Sequence, residues 1–103
     1  MKYFVITTTY IAPMEKVVEI TPEHRAFLKT QYDAGIMLFS GPLVPRTGGL
    51  LFAKAEDISV IQNMIASDPF RVKGIANYEI VETAPVMWAE GLMNIFGNSR
   101  VDS

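Results

Sequence analysis

The sequence contains no cysteine and only one histidine. Without cysteine, disulfide frameworks, thiolate zinc sites, iron–sulfur clusters and cysteine nucleophiles are all excluded. A single histidine also excludes a metal site built from several histidines of one chain. We therefore expect no bound metal and no other cofactor. The nine Lys and Arg residues are scattered and the net charge is −2, so we expect no nucleic-acid binding, which requires a basic face.

Long apolar segments are also missing. No apolar run approaches the roughly 18 residues of a membrane span, and the N-terminal MKYFVITTTYIAPMEK lacks the apolar core of a signal peptide. We therefore expect a cytoplasmic protein without membrane contact. Half of the 103 residues are apolar and 19% are charged, which is typical of one folded domain and not of a disordered chain.

The residue pattern predicts the order β-α-β, turn, β-α-β. The predicted strands are residues 2–10, 36–43, 49–54 and 76–86, and the second helix is 57–67. For the first helix we expect Thr21 as N-cap, Pro22 at the first helical position and Gly35 just past the end, with residues 11–20 as a connection. Two split β-α-β units define a ferredoxin-like α+β sandwich over residues 1–86, with a four-stranded antiparallel sheet and both helices on one face.

The first three predicted strands are apolar on both faces. Tyr3 and Val5 alternate with Phe4 and Ile6, for example, although helices cover only one face. A second copy packed sheet against sheet would cover the other face, so we predict a homodimer, a dimeric α+β barrel. The sequence leaves open whether such dimers assemble into a higher oligomer. The tail, residues 87–103, holds the only Trp and several apolar side chains, and we expect it to pack on the domain, over the pocket or on the partner subunit.

His24 is the strongest candidate for chemistry, because an unperturbed imidazole titrates near neutrality. It begins an inner stripe of the first helix that continues with Phe27, Leu28, Gln31 and Tyr32. In the predicted first turn, the positive helix end would favour a neutral ring that can accept a proton. The structural alternative is a buried histidine bonded to a backbone carbonyl.

Asp68 follows the second helix and precedes Pro69. It is either a helix stop or N-cap for a short Pro69-led turn, or a carboxylate that orients His24 and stabilises its charged form. Ser40, Gly41 and Pro42 end a central strand, where they either terminate it or admit a ligand. Two arginines, Arg46 and Arg71, are either solvated or bind an anionic substrate.

The order of several short motifs resembles the YciI-like (YCII-related) family over about residues 1–85. These are Thr-Pro-Glu-His at the first helix, Gly35 before a strand ending in Ser-Gly-Pro, and Ser-Asp-Pro-Phe after the second helix. The resemblance implies a dimeric α+β barrel with a ferredoxin-like protomer, similar in fold to muconolactone isomerases. It also implies that His24 and Asp68 form a catalytic pair. The chain differs from the family in continuing past its last strand.

These observations predict a cofactor-free lyase or isomerase in which the His24–Asp68 pair transfers a proton on a small aromatic-derived or lactone-like substrate. The candidate substrate-binding residues are Tyr32, Ser40, Gly41, Pro42, Phe70 and Arg71. Two alternatives remain: a non-catalytic ligand-binding or regulatory module on the same fold, and a purely structural role for the pair.

Overall fold

The computed structural model describes residues 1–97 of the chain. Its elements are β1 (Lys2–Tyr10), α1 (Met14–Asp33), β2 (Met37–Pro42), β3 (Gly48–Ala55), α2 (Ile58–Ser67), α3 (Pro69–Val72), β4 (Ala76–Thr83), a 3-10 turn (Glu90–Leu92) and α4 (Met93–Phe96). All neighbouring strands are antiparallel, in the order β2-β3-β1-β4. This topology confirms the predicted ferredoxin-like α+β sandwich. No helix within these residues is long and apolar enough to cross a bilayer.

The main core lies between one face of the sheet and the helices α1 and α2. Alternate residues of β1 and β3 point into it because successive side chains of a strand face opposite sides. Leu28 of α1 and three apolar residues of α2 pack against them. The buried members are Phe4, Ile6, Leu28, Met37, Leu51, Ala53, Ala55, Ile61, Met64 and Ile65.

A second cluster of buried residues explains why the predicted start of α1 is wrong. The helix begins at Met14, because Val17 and Ile20 are buried against Phe70 and Ile75. Ala76 completes this second cluster. Full burial of each branched side chain contributes about 1.5–3 kcal/mol, which outweighs the local preference for a helix start further along the chain.

Thr21 and Pro22 therefore lie inside α1 and do not cap it. The Thr21 hydroxyl donates to the carbonyl oxygen of Val17 at 2.6 Å. Pro22 has no N–H to give to the carbonyl of Val18, which costs the helix one backbone hydrogen bond. The predicted C-terminal end is confirmed: Ala34 is the C-cap, and Gly35 follows with a φ of 78°, a left-handed conformation that favours glycine.

The face of the sheet opposite the helices, here called the open face, carries six apolar side chains beside polar ones such as Lys54 and Glu79. Strand pairing places on it Tyr3, Val5, Phe39, Leu50, Phe52 and Val81. Phe39 is 55% exposed and Val81 is 60% exposed.

The tail after β4 packs on one part of the open face. The Tyr3 hydroxyl donates to the carbonyl oxygen of Ile95 at 2.9 Å. The Phe96 ring lies 4.9 Å from the Tyr3 ring and 6.1 Å from the Phe52 ring, between ring centroids. Trp88 lies 5.5 Å from Phe96, and its indole N–H is buried without a hydrogen-bond partner among residues 1–97. The part of the expected tail beyond residue 97 lies outside the described residues.

Replacing Phe96 by alanine should therefore destabilise the fold. The change removes an aromatic ring from between Tyr3 and Phe52, so we expect the free energy of unfolding to fall by about 1–3 kcal/mol in urea titrations. Met87→Ala is the matched control, because Met87 belongs to the same tail but is 72% exposed. Equal stabilities of the two variants would show that the Phe96 ring does not stabilise the fold.

Candidate active site

A cavity of about 600 Å³ lies between α1 and the sheet. Side chains of α1, the ends of β1, β2 and β3, the β2–β3 loop and Phe70 of α3 form its wall. Its size is typical of sites for small molecules. Within residues 1–97, no three His, Asp or Glu side chains come close enough to hold a metal ion.

His24 and Asp68 meet beside this cavity. The distance from His24 Nδ1 to Asp68 Oδ1 is 2.7 Å. The Asp68 side chain is almost fully buried, whereas His24 lines the cavity with 13% of its side chain exposed. The imidazole lies parallel to the Phe70 ring, with centroids 3.9 Å apart and planes 2° apart. A hydrogen bond at one edge and a stacked ring on one face together fix the imidazole plane.

Asp68 also caps α3 and accepts a hydrogen bond from β4. Its Oδ1 accepts from the backbone N–H of Phe70 at 3.0 Å, with Pro69 at the first position of the short helix. Its Oδ2 accepts from the Tyr78 hydroxyl at 2.6 Å. The N-cap interpretation of the sequence is thus confirmed, and the same carboxylate contacts His24. Both contacts come from one residue because the cap places the carboxylate at the end of α2, facing α1.

The hydrogen bond to Asp68 fixes the tautomer of a neutral His24. An ionised carboxylate only accepts hydrogen bonds, so the proton on the ring must sit on Nδ1. The Nε2 lone pair is then available to take a proton from a ligand. The expectation that His24 lies in the first helical turn is wrong, because α1 starts ten residues earlier, at Met14. The contacts with Asp68 and Phe70, and not the helix end, therefore set the tautomer and the orientation of the His24 ring.

Tyr78 is a member of this cluster that sequence reasoning missed. Burial, followed by the neighbouring Asp68 carboxylate, raises the pKa of its phenol well above the ordinary value of 10.0. The phenol therefore stays protonated and remains a hydrogen-bond donor to Asp68. One further tyrosine on a strand gives no sequence signal, because only the fold brings β4 next to the start of α3.

This raised pKa predicts how stability changes in alkali. In the unfolded chain Tyr78 loses its proton near pH 10, whereas in the folded chain it keeps it, so the unfolded state binds fewer protons above pH 10. The contribution of Tyr78 to the free energy of unfolding is constant below pH 10 and then falls by about 1.4 kcal/mol per pH unit. In urea titrations, the free energy of unfolding of the wild type relative to that of Tyr78→Phe should fall by about 1.4 kcal/mol in total between pH 9 and pH 11.

A second measurement checks the same assignment. Between pH 9 and 11, native wild type and native Tyr78→Phe should gain equal phenolate absorbance at 295 nm, because Tyr78 does not titrate while folded. A stability difference that stays constant with pH, together with extra phenolate in the wild type, would contradict the raised pKa.

The structure brings most of the other predicted site residues to the cavity. Ser40, Gly41, Pro42, Tyr32 and Phe70 all line it. The hydroxyls of Tyr32 and Ser40 lie 2.6 Å apart and bond to each other, which joins the end of α1 to β2.

Arg71 is not brought to the cavity. It lies exposed on α3, outside the residues of the wall. Arg46, the second of the two arginines suggested as anion-binding residues, lies in the cavity wall because the β2–β3 loop folds back over α1. Spacing along the chain favours Arg71, which is near Asp68, over Arg46, which only the hairpin brings to the site.

The fold and this site together define a small ferredoxin-like α+β protein with an aspartate-bound histidine at a cavity. The chain belongs to the YCII-related domain family, whose model matches residues 1–84. No curated protein sequence matches it.

Among solved structures, the chain is similar in fold to 5-chloro-2-hydroxyhydroquinone dehydrochlorinase (TftG) from Burkholderia phenoliruptrix AC1100, in complex with 2,5-dihydroxybenzoquinone. The TM-score is 0.70 at 18% sequence identity, over 81% of this chain and 94% of that chain. At this level of identity, the likeness concerns the fold.

Proposed function

We propose that this protein is a cofactor-independent enzyme, a lyase or isomerase, in which His24 transfers a proton on a small aromatic-derived or lactone-like substrate. The observation that carries this proposal is the 2.7 Å contact between His24 Nδ1 and the buried Asp68, with the imidazole in the wall of the cavity. A positioned imidazole is the commonest general acid–base group and needs no metal.

The proton path follows from the hydrogen bonds. Nε2 accepts a proton from a C–H or O–H of the substrate and becomes part of an imidazolium. Asp68 stabilises this cation, and it is held in place by hydrogen bonds from the Phe70 N–H and the Tyr78 hydroxyl. Nε2 then returns the proton to another atom of the substrate in an isomerase. In a lyase, the leaving group departs with the electron pair of its bond, and the proton passes from Nε2 to the leaving group or to water.

The walls of the cavity support a small ring as substrate. Leu28, Leu51, Pro42 and Phe70 offer apolar surface, and the Tyr32–Ser40 hydroxyl pair offers a polar contact. The similar fold of a dehydrochlorinase bound to 2,5-dihydroxybenzoquinone adds support for a hydroxylated aromatic or quinone-like substrate class.

A substrate panel tests the proposal. Purified protein is incubated without oxygen with chlorinated di- and trihydroxybenzenes, including 5-chloro-2-hydroxyhydroquinone, and with small unsaturated lactones. Chloride release and ultraviolet spectra report turnover. We expect turnover of at least one compound by the wild type and none by His24→Asn, whose amide nitrogen can still donate to Asp68. Binding of panel members without any turnover would favour the non-catalytic ligand-binding module.

We also propose that two copies pair through their open faces, as expected from the sequence. Exposed Phe39 and Val81 support this pairing, because α4 covers only the region of Tyr3 and Phe52. Such an interface should bury more than about 1,000 Å². We expect a dimer in sedimentation equilibrium at micromolar concentration and a monomer for Val81→Lys. Val72→Lys, at a 66% exposed position on α3, is the matched control and should stay dimeric. A monomeric wild type would contradict this pairing.

A further inference from the structure

Arg46 is held in the wall of the cavity by two neutral groups. Its Nε donates to the Tyr10 hydroxyl at 3.2 Å, and its Nη2 donates to Thr21 Oγ1 at 3.2 Å. Thr21 Oγ1 uses its own proton in the bond to the Val17 carbonyl, so toward Arg46 it can only accept. The guanidinium is therefore fixed in place while several of its N–H groups remain available.

Within residues 1–97, no carboxylate neutralises the charge of Arg46, because none forms an ion pair with it. The cavity wall carries two more cationic side chains, Arg25 and Lys29, and a single carboxylate, Asp33, which lies 3.6 Å from Lys29. The chain as a whole has a net charge of −2, so the positive charge of this wall is a local feature.

The guanidinium and the imidazole of His24 belong to the same wall. Thr21, which binds Arg46, precedes His24 by three residues on α1, and side chains at this spacing are neighbours on one face of a helix. Tyr10, which also binds Arg46, packs edge-on against Phe70 at 6.0 Å, and Phe70 stacks on His24. A continuous set of contacts thus joins the fixed cation to His24, through Thr21 on α1 and through Tyr10 and Phe70.

We propose that the ligand of this cavity is a small ring that carries an oxyanion, a carboxylate or a phenolate, and that Arg46 binds this oxyanion and selects for it. This inference rests on the proposed function, because it assigns the substrate class of the same site. Proton removal by His24 increases the negative charge of a substrate, and a guanidinium fixed in advance stabilises that charge without rearrangement. The guanidinium fork also matches the two oxygens of a carboxylate.

The test compares two probes of nearly the same size, benzoate and benzamide, which differ in charge. Binding is followed through the imidazole NMR signals, which come from one residue because the chain has a single histidine. We expect wild type to bind benzoate about 10- to 100-fold more tightly than benzamide, and the preference to weaken as salt is added. Arg46→Gln should lose the preference and keep the affinity for benzamide.

Two further variants complete the experiment. Lys16→Gln removes an exposed positive charge outside the cavity and should keep the preference for benzoate. Arg46→Lys keeps the charge without the fork and should restore part of the preference. Equal binding of the two probes by wild type, binding of neither, or an unchanged preference in Arg46→Gln would overturn the inference.

The outcome separates this inference from the proposed function. If the substrate panel shows no turnover but the benzoate preference depends on Arg46, the protein binds oxyanions and the proposed catalysis fails alone. If a neutral lactone turns over with the same kcat/KM in wild type and Arg46→Gln, the catalysis stands and the oxyanion assignment fails.

Discussion

Replacing His24 by alanine is expected to lower kcat by about 10²- to 10⁴-fold on the substrate that the panel identifies. This is the range that a positioned general acid–base group contributes. The variant loses the Nε2 atom that takes the proton, and no other imidazole is present in the chain. Steady-state kinetics and far-UV circular dichroism should show a folded protein with little remaining turnover, because alanine suits the middle of a 20-residue helix.

His24→Asn is the matched control for lost packing, because its amide can keep the hydrogen bond to Asp68. If both variants lose activity equally while they still bind the substrate, the loss belongs to proton transfer. Asp68→Asn should lower the rate less than His24→Ala, because Asp68 orients and stabilises the ring and does not touch the substrate. Wild-type turnover by both His24 variants would make the pair structural.

Replacing Asp68 by alanine should produce the largest loss of stability. The change leaves the Phe70 N–H, the Tyr78 hydroxyl and His24 Nδ1 without their shared acceptor in a buried place. Removal of one partner from such a cluster costs about 3–5 kcal/mol, a large share of the about 5–15 kcal/mol that stabilises a typical domain. Urea unfolding followed by circular dichroism measures the loss.

Asp68→Asn keeps an acceptor oxygen for the helix cap, so it should lower the free energy of unfolding clearly less than Asp68→Ala does. It also serves as the readout if Asp68→Ala fails to fold. Tyr78→Phe removes the hydroxyl donor itself, so no unpaired donor is left behind. The free energy of unfolding should therefore fall by only about 1 kcal/mol. If Asp68→Ala were no less stable than Tyr78→Phe, the carboxylate would not be the centre of this cluster.

The sheet and the second helix were predictable because their signals are local. Alternating β-branched and aromatic residues mark the strands, and Asp57 caps α2 by accepting from the Ser59 amide and hydroxyl, at 3.4 and 2.7 Å. The start of α1 was not predictable in this way. Thr21 followed by Pro22 is a strong local start signal, and only burial in the second cluster, formed by residues far along the chain, overrides it.

The residues of the candidate site likewise fall into those that the sequence marks and those that only the folded structure brings together. His24 and Asp68 stand out by residue type and by motif, and the structure places them 2.7 Å apart. Tyr78 carries no such mark, since a tyrosine in a strand is an ordinary residue, and nothing in the sequence favours Arg46 over Arg71. The parts of Tyr78 and Arg46 in the site depend on tertiary contacts across three or more elements, which no spacing in the sequence displays.

The proline inside α1 separates two units of packing. Before Pro22, Val17 is buried in the second cluster, and after it Leu28 is buried in the main core. Because Pro22 donates no backbone hydrogen bond, the two parts of the helix are joined less firmly across this point than within either part. Local opening of the helix is therefore expected to begin at this point.

His24 lies on one side of this boundary, while its partner Asp68 and its stacking ring, Phe70, belong to the segment that forms the second cluster. Loss of the contacts between α3 and α1 would therefore separate the histidine from its carboxylate. The lifetime of an assembled site then depends on these local contacts, and a probe of the sheet alone does not report whether the geometry needed for proton transfer is intact.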